Sequence, residues 1–130
     1  EPRVVFGDLF ELIGWSVAPE ELRAGQVMDV PLLWQARRKP TARFTGFVHL
    51  EDAHGNVLAQ DDHEPKQGAY PTLLWAQDEM VRDTFHLKIP DDLKRGEYVL
   101  RAGWYDTNSQ DRLSAADGTD SVELKRFTVP

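Results

Sequence analysis

The 130 residues suffice for one domain and leave no surplus for a second core. With 22 acidic against 15 basic residues the formal net charge is −7, so phosphate backbones and anionic lipid are repelled on average and nucleic acid is not an expected partner. Hydrophobic residues make up 41% of the chain, with four Trp, which fills a core without staples, while the absence of Cys excludes disulfides, thiolate metal sites and a Cys nucleophile.

Apolar residues recur with period two in short segments separated by Gly, Pro, Asn and Asp, the pattern of an all-β domain. The first segment, Phe10 to Val17, is apolar on both parities and reads as a strand covered on both faces. Pro19 and Gly25 bracket a turn. From Val27 to Trp34, the residues Met28, Val30, Leu32 and Trp34 share one face, and Pro31 among them predicts an edge strand or a bulge, because proline cannot donate to a ladder. Arg37, Arg38 and Lys39 before Pro40 read as a solvated turn.

Phe44 to Leu50 reads as a clean amphipathic strand, with Phe44, Val48 and Leu50 inward and Thr45 and His49 outward. Gly55 and Asn56 join it in a hairpin to Val57–Gln60. After Asp61 comes a polar stretch holding Pro65, Gly68, Tyr70, Pro71 and Trp75, too long for a tight turn and expected to cross between sheets. Val81, Phe85, Leu87 and Ile89 then alternate with polar residues, with Asp83 as an inward exception. Tyr98, Leu100, Ala102 and Trp104 share a face of Glu97–Tyr105, and Val122–Val129 is the last strand.

Seven to eight strands joined by alternating long and short connections predict one antiparallel β-sandwich over residues 1–130, immunoglobulin-like with Greek-key connections, although a jelly roll has the same strand count. Tyr98, just after a turn and two residues before Leu100, sits where such folds place a corner tyrosine that bonds back to the backbone. No apolar run approaches the roughly 18 residues of a membrane span. No direct membrane insertion is expected. Beginning at Glu1 and ending on a strand, the chain reads as a piece of a larger protein.

Phe47, Val48, His49 and Leu50, then Asp52, Gly55, Ala59, Gln60 and Asp61, then Pro65, Gly68, Tyr70, Pro71, Thr72 and Trp75 form a pattern continued by Glu79, Val81, Asp83 and Leu87. Gly96, Tyr98, Leu100, Gly103, Tyr105, Asp106, Arg112 and Leu113 complete it. It resembles a β-sandwich domain that follows the membrane-embedded part of bacterial mannosyltransferase-like glycosyltransferases and related multi-pass membrane proteins. The resemblance implies a place on the extracytoplasmic face of a bacterial membrane and partners among envelope glycans or the membrane-embedded part of the parent, and it carries no active site across to this chain. It breaks at Asp78, where the pattern has Gly, which puts the turn before Glu79 in question.

The search for chemistry gives little. No Ser lies in a G-x-S-x-G context, and the nine glycines are scattered through turns rather than gathered into a phosphate loop, so neither a hydrolase nor a nucleotide cofactor is expected. His49, His54, His63 and His86 lack the spacing that brings imidazoles onto one metal, and they read as surface groups, with His49 placed to brace the chain near Asp61. The acidic runs Asp61–Glu64, Asp106–Gln110 and Asp117–Asp120 raise a calcium-stabilised, adhesion-like domain, but Asp111 and Asp117 fail the two diagnostic EF-hand positions. Tyr70 and Trp75 are large aromatics in a polar loop. They either pin the crossing to the sandwich or, with Asp61, Asp62, Gln67 and Tyr105, form a carbohydrate-binding platform. The expected function is a non-catalytic accessory or interaction module of a glycosyltransferase-like membrane protein, with carbohydrate binding as the alternative and no cofactor. A carboxylate pair such as Asp61 with Asp106 would be needed for catalysis.

Overall fold

A computed structural model describes residues 3–130; Glu1 lies outside them. The described residues form eight strands: β1 (Val5–Phe6), β2 (Phe10–Trp15), β3 (Val27–Ala36), β4 (Phe44–Asp52), β5 (Val57–His63), β6 (Met80–Lys88), β7 (Gly96–Asp106) and β8 (Val122–Val129). They make two antiparallel four-stranded sheets, in the order β1-β2-β3-β6 and β5-β4-β7-β8. β3 pairs with β6 and β4 with β7, rather than β3 with its chain neighbour β4. This interleaving is compatible with an immunoglobulin-like Greek key.

The inward parities of both sheets meet in one core, as alternation requires. At its centre Phe10 stacks on Trp104 with ring centroids 4.2 Å apart, and Trp34 and Trp75 meet Trp104 edge-on at 5.2 and 5.9 Å. These rings supply the volume that a disulfide and its neighbours fill in antibody domains. The Tyr98 hydroxyl donates to the carbonyl of Lys94, so the corner tyrosine closes back on the backbone as expected. Among the described residues no helix is long and apolar enough to cross a membrane.

Three local expectations are corrected. β3 is an inner strand, not an edge: Pro31 is tolerated because it lies just beyond the β2 ladder, where its carbonyl still accepts from Ser16 N–H and its missing donor faces the side that β2 has left. β2 is not covered on both faces, since a bulge between Leu12 and Gly14 leaves Ile13 and Trp15 exposed. β4 is not amphipathic either. Thr45, Phe47 and His49 are as buried as the inward set, because β5 and β7 flank them and the Arg112 guanidinium lies 4.4 Å over the Phe47 ring. Arg37, Arg38 and Lys39 are exposed at a bend, as expected, and their side chains also serve as ties: Arg37 reaches Glu11, Arg38 the Gly7 carbonyl, and Lys39 the carbonyls of Leu73 and Trp75.

The break at Asp78 has a backbone cause. Asp78 has φ +67°, the left-handed region in which a Cβ is disfavoured, so the turn is the one glycine would make with an Asp held in it.

Candidate functional site

β5 continues to His63, four residues past Ala59, the last residue of its apolar pattern. The polar tail Gln60–His63 hides its alternation from a hydropathy reading, because both of its faces are polar. Pairing with β4 fixes the register: Asp62 lies opposite the outward Phe47, whereas Asp61 and His63 lie opposite Val48 and Gly46 on the inner parity. Adjacent acids are thereby sent to opposite faces.

On the outer face, Asp62 accepts from His49 Nε2 at 3.0 Å and from the Tyr105 hydroxyl at 3.1 Å, and Gln60 stands beside it. Burial, followed by the nearby Asp62 charge, raises the Tyr105 pKa. His49 thus braces Asp62, the neighbour of the residue to which the sequence pointed. The Nδ1 atom of His49 has no hydrogen-bond partner among the described residues. Gly103 allows this face to close: a Cβ there would stand 2.5 Å from Phe47 Cζ and 2.9 Å from the Asp120 carbonyl oxygen.

On the inner side, His63 Nδ1 lies 2.9 Å from Asp61 Oδ1 and its Nε2 lies 2.9 Å from Asp83 Oδ2. The second contact runs from β5 of one sheet to β6 of the other. The imidazole stacks on Phe85 at 4.2 Å, and Gly46 leaves room for the Phe85 ring. Asp61 Oδ2 takes the backbone N–H of His86 and Asp83 Oδ1 takes that of Lys66. His63 is therefore not a surface group, and the inward Asp83 has its reason. The signal was present in the sequence, since a carboxylate on a core parity requires a partner.

The six residues named from sequence fall in three places. Asp62 and Tyr105 meet on the outer face. Asp61 meets His63 on the inner side, and Gln67 Nε2 approaches the same ring at 3.4 Å. Tyr70 and Trp75 lie together at the far end of the crossing, stacked at 6.4 Å. Trp75 has 0% exposure, and its indole N–H donates to the Tyr70 carbonyl. It cannot offer a face to a sugar, and Tyr70 is spent on Glu79 through a 2.7 Å hydrogen bond. The pair pins the crossing, and no single platform contains all six residues. Asp61 and Asp106 do not meet: they lie opposite Val48 and Phe44, four residues apart along β4 and on opposite sides of it, so their backbones are about 16 Å apart.

The acidic loops are built as Asx turns. Asp106 Oδ1 accepts the N–H groups of Ser109 and Asn108, and Asp117 Oδ1 accepts the hydroxyl and the N–H of Thr119, contacts that pull both pKa values down. Among the described residues no three His, Asp or Glu side chains gather around a point that would hold a metal. Opposite the His63 side, the sandwich is open between β2 and β8. There Trp15, 45% exposed, donates its indole N–H to the Leu124 carbonyl beside a groove of about 620 Å³.

No protein-family model matches the chain, and no curated protein matches it. Among solved structures, the crystal structure of the C-terminal domain of Wzt superposes on it with a TM-score of 0.58 at 19% identity, covering 98% of this chain and 73% of that one. At this identity the likeness shows the fold, a β-sandwich domain. The resemblance to the mannosyltransferase-like membrane proteins has no family match behind it.

Proposed function

We propose that the chain is a non-catalytic accessory module of a larger bacterial membrane protein of the glycosyltransferase-like kind, working on the extracytoplasmic face. One observation carries this reading: the carboxylates and imidazoles that chemistry would need are bound to one another or to backbone N–H groups as parts of the scaffold. Asp61, Asp83, Asp106 and Asp117 all accept such N–H groups, and His49 and His63 are both tied to carboxylates. Such groups hold strands and turns in place. The likeness to a domain of Wzt that was crystallised separately agrees with a modular unit. The partner is the membrane-embedded part of the parent or the glycan it handles.

The test is to incubate the chain with a lipid-linked sugar donor and envelope oligosaccharide acceptors. No turnover is expected. Turnover abolished by Asp61→Asn or Asp62→Asn would overturn the proposal.

A second reading, carbohydrate recognition, is favoured by the outer face of β5, β4 and β7. Tyr105 and Asp62 stand there beside the exposed Gln60, an aromatic ring next to a carboxylate and an amide that match sugar hydroxyls. This reading drops Tyr70 and Trp75 from the binding set. It predicts that envelope oligosaccharides perturb amide resonances of Gln60, Asp62 and Tyr105, and that Tyr105→Ala removes the effect. Perturbation confined to other faces would sink it.

A further inference from the structure

The Asp61–His63–Asp83 cluster is the most completely built polar feature of the molecule. Two carboxylates present four oxygens, and four donors meet them: His63 Nδ1, His63 Nε2, His86 N–H and Lys66 N–H, at distances of 2.9 to 3.1 Å. A neutral imidazole has one donor and one acceptor, so only the doubly protonated ring satisfies both of these contacts. The ring is 8% exposed and Asp83 3%, so losing the proton would leave a ring lone pair facing a carboxylate oxygen in a site poor in water.

The chain after His63 depends on the same cluster. Pro65–Gly68 forms a kinked turn in which Lys66 and Gln67 leave helical geometry for the left-handed region, with φ values of +58° and +56°, strained for residues with a Cβ. Asp83 holds this turn through the Lys66 N–H, and Gln67 lies against the His63 ring. Beyond the turn the crossing is fixed independently, because Thr72 bonds to the Ala42 carbonyl and Phe44 N–H, and Trp75 is in the core.

We infer that Asp61, His63 and Asp83 form a proton-dependent latch, which closes the Pro65–Gly68 turn over the β5–β6 side while His63 is charged and releases that turn when the proton leaves. The groups facing the ring are Asp61 from β5, Asp83 and Phe85 from β6, Gly46 from β4 and Gln67 from the turn. The charges acting on it are those of Asp83 and Asp61. Burial lowers the His63 pKa, but the hydrogen bonds and charges of Asp83 and Asp61 outweigh it, and the pKa is raised above 6.5. With the closed form binding the proton more tightly than the open one, the latch is fully closed below about pH 6.5 and weakens up to the raised value, above which its contribution is gone.

An NMR titration of the chain, following the His63 ring and amide exchange together, tests this. The expected result is a His63 ring still doubly protonated above pH 6.5. Once corrected for intrinsic rates, the protection of the Lys66, Gln67, Gly68 and Ala69 amides should fall by up to about tenfold per pH unit between 6.5 and the measured pKa, then level off. The Trp75 indole N–H should stay protected throughout. His63→Gln, whose donors both sit on one nitrogen and whose other terminal atom is an acceptor, cannot donate to Asp61 and Asp83 together as the ring does, and should leave the turn weakly protected at every pH. A His63 pKa at or below 6.5 would overturn the latch. So would turn amides whose protection ignores pH, or loosening of Trp75 in step with the turn, and the wild-type titration decides even if the variant does not fold.

Discussion

His63 Nε2 lies 2.9 Å from Asp83 Oδ2, and this contact ties the edge strand of one sheet to the edge strand of the other. Its counterpart between β2 and β8 on the opposite side of the sandwich is a hydrogen bond from Trp15 to the Leu124 carbonyl. One side is fastened by a buried charge network and the other by an exposed indole, so damage to the two sides should differ in cost.

Asp83→Ala removes one carboxylate from the network and leaves the Lys66 N–H and one His63 donor unpaired. A loss of about 3 kcal/mol is expected from denaturant unfolding, the range seen when one partner of a buried pair is deleted. Trp15→Ala should cost about 1 kcal/mol, since its ring is nearly half exposed. Equal losses would contradict the asymmetry.

Glu11 is held by both nitrogens of a bidentate Arg3 contact at 2.8 Å and by Arg37 at 2.6 Å. The hydrogen bonds from Arg3, opposed by burial and reinforced by Arg37, bring its pKa from 4.5 down to about 2. Because the folded value is the depressed one, the stabilisation is present above pH 4.5 and is lost as pH falls toward 2. The two guanidinium groups are 64% and 39% exposed, so screening reduces the effect to about 1–2 kcal/mol. Comparing acid unfolding of the chain with that of Glu11→Gln checks this: the variant should be less stable at pH 7 and should lose less between pH 4.5 and 2.

Trp75→Ala should destabilise by about 3–5 kcal/mol, as expected for emptying a core position that touches Phe10 and Trp104. Trp75→Phe should cost less and keep the crossing in place. Equilibrium unfolding of the two variants separates an anchor from a ligand platform, because a platform residue would change stability by less than about 1 kcal/mol.

Asp78→Gly should stabilise by about 0.5–1 kcal/mol, because a left-handed φ without a Cβ relieves more strain than the added freedom of the unfolded chain costs. The Asp78 hydrogen bonds run through its backbone, to the Ala36 carbonyl and from Gln35, so the substitution removes none of them. A drop in the midpoint of unfolding would refute the reading of this turn.

The strands from β3 onward were legible because their apolar residues keep a strict parity, as Met28, Val30, Leu32 and Trp34 do. The end of β5 was not, because Gln60–His63 carry polar groups to both faces and hydropathy shows no alternation. β1, two residues long, offers too few positions for a period to show. Of the residues named for binding, Asp62 and Tyr105 do meet, but Trp75 turned inward: a large aromatic in a polar loop marks an anchor as well as it marks a platform.

By itself the sequence determined the layers, since alternating hydrophobicity leaves two sheets facing one another as the way to bury every apolar side. Tertiary structure alone decided which polar groups meet. A one-residue step along β5 sends Asp61 and Asp62 to opposite faces, and the partners waiting there, His63 with Asp83 on one side and His49 with Tyr105 on the other, come from segments 13 to 43 residues away except for His63 itself. Local pattern fixes which way a side chain points, whereas the identity of what it touches depends on how distant strands are brought together.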